Sequence, residues 1–156
     1  MLSAIVMILA GFVVIGLIIV ANAYFVAQEF SFMSVDRTQL RTQAAEGDKT
    51  AQRALAITQQ TSFMLSGAQL GITITGLLIG YVAEPLVGQG LGTLLGGVGV
   101  PSAVSVTVGT IAALFISTIA TMLFAELFPK NYTIAAPMKT ARWLAAVSYT
   151  HLTLPT

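Results

Sequence analysis

The sequence predicts an all-α membrane protein, with three transmembrane helices and a cytoplasmic juxtamembrane helical pair. Three observations predict it. Of the 156 residues, 56% are hydrophobic and only 8% charged, against about 25% charged in an ordinary soluble domain. Three long stretches are apolar and almost free of charge. The seven basic residues are confined to two segments between and after those stretches. So few polar side chains cannot cover the outside of a water-soluble fold of this size, so lipid is the expected solvent and no enzymatic activity is expected. A net charge of +1 argues against a nucleic-acid partner, because a phosphate-binding face needs clustered excess Lys and Arg. The absence of cysteine excludes disulfides and thiolate metal sites, and a single His leaves no poly-His zinc site.

The first apolar stretch carries no Asp, Glu, Lys or Arg from Met1 to Gln28. It lacks a basic n-region and is longer than the apolar core of a cleavable signal peptide, which is about 7–15 residues. A retained span over about 4–28 is therefore expected. A polar linker follows over 34–61. Its good helix formers and the break at Glu46-Gly47-Asp48 predict two short helices, Ser34–Ala45 and Lys49–Gln60. The second span is expected over 63–83. Gly67-Gly71 and Gly76-Gly80 have the spacing that lets another helix approach closely in lipid. Glu84-Pro85 is expected to end it. The Gly-rich segment 84–102 is read either as a re-entrant hairpin or as an extracytoplasmic loop. The third span is expected over 103–128, with Glu126 as its one charge and Pro129-Lys130 after it. Pro137–Val147 reads as a short amphipathic helix, and Trp143 and Tyr132 suit the interfacial belt.

Arg37, Arg41, Lys49 and Arg53 lie between the first two spans, and Lys130, Lys139 and Arg142 follow the third. Basic residues mark the cytoplasmic side. The expected topology is multi-pass in the plasma membrane, with the N-terminus outside and the C-terminus inside.

Two acids stand out. Glu29 closes the first span, where a helix end tolerates a charge. Glu126 lies deeper, and a charge there costs a few kcal/mol unless it is paired, neutral or wetted. Pro129 has no N–H, so the carbonyl of Ala125, four residues back, is expected to lose its helical partner. A freed carbonyl beside a carboxylate is an oxygen pair suited to a hard cation. The competing expectation is an i, i+4 ion pair between Glu126 and Lys130. Asn22, Gln28, Ser66, Gln69, Thr73 and Thr75 supply further oxygen donors, a set suited to Mg²⁺, Ca²⁺, Na⁺ or H⁺ rather than to zinc or copper.

Several motifs in order resemble the transmembrane domain of the CNNM/CorC (hemolysin-like) family. They are Ala21 to Phe30 with Asn22, Gln28 and Glu29; the linker from Arg37 to Arg53; Gln69-Leu70-Gly71-Ile72-Thr73; Glu84-Pro85; and Phe124-Ala125-Glu126-Leu127-Phe128-Pro129-Lys130. The resemblance covers about 1–147. Departures occur at Val26, where magnesium-binding members place a Ser, at Ile72, Thr73 and Gly76, where they place Asn residues, and at Ala125, where they place a Gly.

The resemblance implies a homodimer of three-span protomers that holds a divalent cation, Mg²⁺ or another hard cation, between the spans. The expected site is Glu126, the carbonyl of Ala125, Gln28, Gly71 and Thr73, with Pro129, Lys130, Glu29 and Asn22 around it. The mechanism expected from these residues is transport by alternating access, with broken helix ends at Gly71 and Pro129 as the hinge. Cytoplasmic nucleotide-binding CBS domains are implied as well, and none lies in this chain. Residues 148–156 do not read like the family's continuation and are expected to be a non-native or truncated tail. The alternative function is a non-transporting dimeric membrane anchor or sensor for the CBS domains.

Overall fold

The computed structural model describes the backbone of residues 1–152 and the side chains of residues 1–83 and 85–148. Every regular element among them is helical. In chain order these are α1 (Leu2–Ser34), α2 (Arg37–Ala45), α3 (Lys49–Gln59), α4 (Thr61–Val82), a π-helical segment Ala83–Gly88, α5 (Gln89–Gly97), α6 (Ser102–Ala120), a second π-helical segment Thr121–Leu127, α7 (Phe128–Ala135) and α8 (Pro137–Leu152). Three continuous helical stretches, Leu2–Ser34, Thr61–Gly97 and Ser102–Ala135, are long and apolar enough to cross a membrane. The chain is thus a multi-pass membrane protein with the three expected spans.

Their lengths correct the sequence expectation. At 33, 37 and 34 residues each helix runs to about 50 Å or more, beyond the roughly 30 Å of a hydrocarbon core. Pro85 was expected to end the second span and Pro129 to follow the end of the third. Both helices instead continue past the proline, because each proline meets a π-helical segment, Ala83–Gly88 and Thr121–Leu127. A π-helical turn pairs a carbonyl with the N–H five residues on rather than four. That pattern lets a helix step over a residue that has no N–H to give. The segment 84–102, read as hairpin or loop, is therefore mostly a helical extension of the second span as far as Gly97, with a short turn before Ser102.

The chain divides into two compact units. The first comprises Met1–Ala23 and Thr73–Glu126, the second Tyr24–Ile72 and the residues from Leu127 onward. The first unit has a small aliphatic core of Ile15, Ile79, Ala83, Val87 and Ala113. Its tightest seam lies between α6 and the segment around α5. A Cβ added to Gly109 would lie 2.5 Å from the Gly88 carbonyl oxygen and 2.7 Å from the Gly92 nitrogen. The helices touch there backbone to backbone, which only glycine permits.

The second unit has a core of Phe32, Val35, Leu40, Ala51, Ala54, Met64, Ala141, Leu144 and Ala145. The expected helical pair is present as α2 and α3. Asp36 Oδ1 accepts from the amides of Thr38 (2.8 Å) and Gln39 (3.2 Å) and so caps α2. Asp48 Oδ1 does the same for α3 through Thr50 and Ala51. These caps satisfy amides that a helix start leaves without partners. Between them Gly47 adopts φ +94°, the left-handed conformation that ends α2. Asp48 Oδ2 also meets an Arg142 guanidinium nitrogen at 2.6 Å, and Arg142 donates to Gln43 Oε1 at 3.0 Å. Helix α8, expected to stop at Val147, runs to Leu152. Of the expected tail, Ser148 is buried and hydrogen-bonded within the second unit; 153–156 and the side chains from 149 lie outside the described residues.

Candidate functional site

Glu126 lies in the first unit and lines a groove of about 340 Å³. One wall is α4, with Gly76, Ile79 and Gly80. The other is α6 and the π-helical segment after it, with Ser117, Thr118 and Thr121. The hydroxyls of Ser117 and Thr121 donate to the carbonyls of Leu114 (3.1 Å) and Ser117 (2.7 Å). Each oxygen keeps lone pairs free to accept. Gly76 and Gly80 have open space where a Cβ would stand, with no described residue within 4 Å.

Two neighbours in the π-helical segment have opposite surroundings. Thr118, Met122 and Glu126 follow one another at i, i+4 spacing along the groove. Ala125, next to Glu126 in the chain, is fully buried.

Asn22 is the other notable residue of the first unit. It is 1% exposed, and its side-chain oxygen has no hydrogen-bond partner among the described residues. An orphaned buried acceptor costs roughly 1–3 kcal/mol. Thr73 of the same unit is exposed and Thr75 is buried.

The remaining expected site residues fall in the second unit. Gln28 is buried, and its amide nitrogen donates to Ser148 Oγ at 3.5 Å. Ser148 Oγ also shares a 2.9 Å hydrogen bond with the Tyr24 hydroxyl. Glu29 is half-buried. Gly71 was expected at a broken helix end. It sits instead inside the unbroken α4, where its missing Cβ makes room for the ring of Phe25, 2.6 Å from where that atom would be. Pro129 is in the first turn of α7, where a missing N–H is tolerated. Neither residue breaks its helical stretch, and the departures from α-helical pairing lie instead in the two π-helical segments. Lys130, the residue that would turn Glu126 into an interfacial ion pair, places its ammonium 4.8 Å from the centre of the Phe30 ring.

Asp48 has its carboxyl held below the ordinary value of 3.8. The Ala51 amide does most of this and is opposed by desolvation; the Thr50 amide and the Arg142 guanidinium add to it.

The family model for the cyclin M transmembrane N-terminal domain matches residues 12–154. The chain belongs to the CNNM family. Relatives of this CNNM domain include the Mycobacterium tuberculosis protein MT1889, 38% identical over 130 residues that cover 82% of this chain and 36% of the relative. The UPF0053 protein MT1890 of the same species is 43% identical over 125 residues, 78% of this chain and 27% of that protein. The UPF0053 protein YhdT of Bacillus subtilis is 34% identical over 122 residues, 78% of this chain and 26% of that protein. The CNNM domain therefore spans between about a quarter and a little over a third of the length of these relatives.

The sequence reading missed Ser117, Thr118 and Thr121 as groove residues. Their signal was present: hydroxyls at i, i+1 and i+4 on a span that also bears an acid.

Proposed function

We propose that this CNNM domain is the membrane part of a divalent-cation transporter or efflux protein of the Mg²⁺/Co²⁺ type, with the ion carried past Glu126. The observation that carries the proposal is a carboxylate in an open groove of hydroxyls and glycines, with no cation beside it within its own unit. A lone carboxylate at that depth is expensive unless a cation, a proton or water joins it. The orphaned Asn22 oxygen supports the same conclusion, since a buried acceptor without a donor suits a polar group that comes and goes.

The donor chemistry fits a hard cation as cargo. The groove's polar groups are the Glu126 carboxylate and the hydroxyls of Ser117, Thr118 and Thr121; its one sulfur is the soft thioether of Met122, and it has no thiolate or imidazole. Among the described residues no three His, Cys, Asp or Glu side chains gather into a metal cluster. One carboxylate with neutral oxygens binds weakly, as a site that must release its ion requires. Family membership supports ion transport in general, and the specific ion rests on this chemistry alone.

The proposed topology has the N-terminus outside and α2, α3 and α8 on the cytoplasmic side, by the distribution of Lys and Arg. The proposed assembly is a homodimer, supported by the uncovered Gly67, Gly76 and Gly80. Those open glycines also favour a second function, a dimeric anchor that does not transport and serves nucleotide-binding CBS domains. The two are separated by divalent-cation flux in a full-length protein carrying this domain. Glu126→Gln is expected to reduce flux to background with membrane insertion intact. Wild-type flux in that variant removes Glu126 from the pathway, and no flux in the wild-type protein leaves the anchor.

A further inference from the structure

A second cavity, in the second unit and away from Glu126, has a different chemistry. It encloses about 230 Å³ between α1, α3 and α4, with Phe25, Gln28, Ile57, Gln60, Met64 and Gly67 on its walls. No lining residue is charged, so it offers an ion nothing. Its polar groups are few: Gln28 and Ser148, which with Tyr24 already bond one another, and Gln60. A buried water needs two to four polar partners, and most of this wall supplies none.

The mouth gives onto lipid. Phe63, also on the wall, is 73% exposed, and Gly67 has open space at its Cβ position. Both lie on the surface of a helix that is long and apolar enough to span the membrane. An apolar hollow that opens into hydrocarbon loses dispersion contacts along its whole lining if it stays empty. A flexible chain from the surrounding lipid restores them without desolvating any charge. At the rim, the exposed Gln60 caps the end of α3 and offers an amide donor.

We propose that this cavity is an acyl-chain site. It takes one hydrocarbon tail of a bilayer phospholipid, entering past Phe63 and Gly67 from the leaflet on the basic side of the protein. The tail fills the space under α3 and holds that helix against the first two spans. The site owes nothing to the transport proposal.

The test uses the whole chain in phosphatidylcholine vesicles doped with a phosphatidylcholine bearing a diazirine midway along one acyl chain, with EDTA present throughout. After irradiation, adducts are mapped by peptide mass spectrometry. The expected result is labelling within 25–28 and 57–68. Gly67→Leu, which fills the cavity, lowers it severalfold, while Gly67→Ala preserves it. Labelling of the lipid-exposed Phe115 is the same in all three. Ala56→Phe fills the cavity from the α3 wall and carries the test if Gly67→Leu does not fold. Cavity labelling that neither filling variant lowers overturns the proposal. So does labelling confined to the outer faces of the spans. Cavity residues that become labelled only when the protein is diluted to monomers also overturn it, and assign the space to a second copy of the chain. Because no divalent cation is present, failure of the transport proposal leaves this result unaffected.

Discussion

Asn22 is an unusual residue to keep in the middle of a membrane helix. Its side chain is almost fully enclosed and its oxygen has no partner among the described residues. Replacing such a group with an apolar one of similar shape is nearly neutral or stabilising. Asn22→Leu is therefore expected to leave thermal stability in detergent unchanged or raise it by about 1 kcal/mol. The same change is expected to lower divalent-cation flux if the oxygen serves the ion. Stability lost along with flux would show instead that Asn22 has a structural partner. Glycines give a parallel contrast. Gly109→Ala forces a methyl group against two backbones and is expected to cost about 1–3 kcal/mol, as overpacking does. Gly76→Ala meets nothing within 4 Å and is expected to leave the stability of the monomer unchanged or raise it by up to about 1 kcal/mol, since Ala is the better helix former. Denaturation midpoints of the two variants check both.

At the scale of the element, the π-helical segment Thr121–Leu127 holds Glu126 on the groove and its neighbour Ala125 buried. The chain contains no cysteine, so single cysteines report cleanly. Glu126→Cys is expected to react with a small water-soluble thiol reagent much faster than Ala125→Cys. Equal or reversed rates would overturn this placement. The sequence reading identified Glu126, Pro129 and their proximity, and for that reason expected a freed carbonyl and a helix end. Periodicity assumes 3.6 residues per turn, and a single inserted residue leaves no compositional trace. Gly71 was misjudged for a related reason: a glycine that breaks a helix and one that seats an aromatic ring, here Phe25, look alike in one dimension. The link from Asp48 to Arg142 is likewise invisible in sequence, being 94 residues apart, although the Asp48 cap itself was there to be read beside Glu46-Gly47. That link carries a pH dependence. The carboxyl of Asp48 is held below 3.8, so its contribution is complete above that value and is lost as the pH falls from there through the lowered one. Trp143, the single tryptophan, sits next to Arg142 on α8. Its emission on thermal unfolding is expected to show stability falling below about pH 4, and Asp48→Asn is expected to flatten that dependence.

For the whole molecule, the number and order of spans were legible because each is a long uncharged run, and lipid leaves little choice for such a run but a helix. The split of the chain into two units was not legible. Its boundaries fall inside continuous helical stretches, at 23, 72 and 126, where no loop announces them. The proposed orientation is testable at this scale. Ser3→Cys is expected to react from outside intact cells, and Thr42→Cys only after the membrane is opened. The opposite pattern would invert the topology.

The seam at Gly88, Gly92 and Gly109 has a consequence for how such a domain moves. Where side chains separate two helices, they swivel and let one helix slide past the other. Here main chain rests on main chain, with nothing pliable in between. That corner must travel as a single block, and any rocking of the spans has to find its pivot elsewhere along their length.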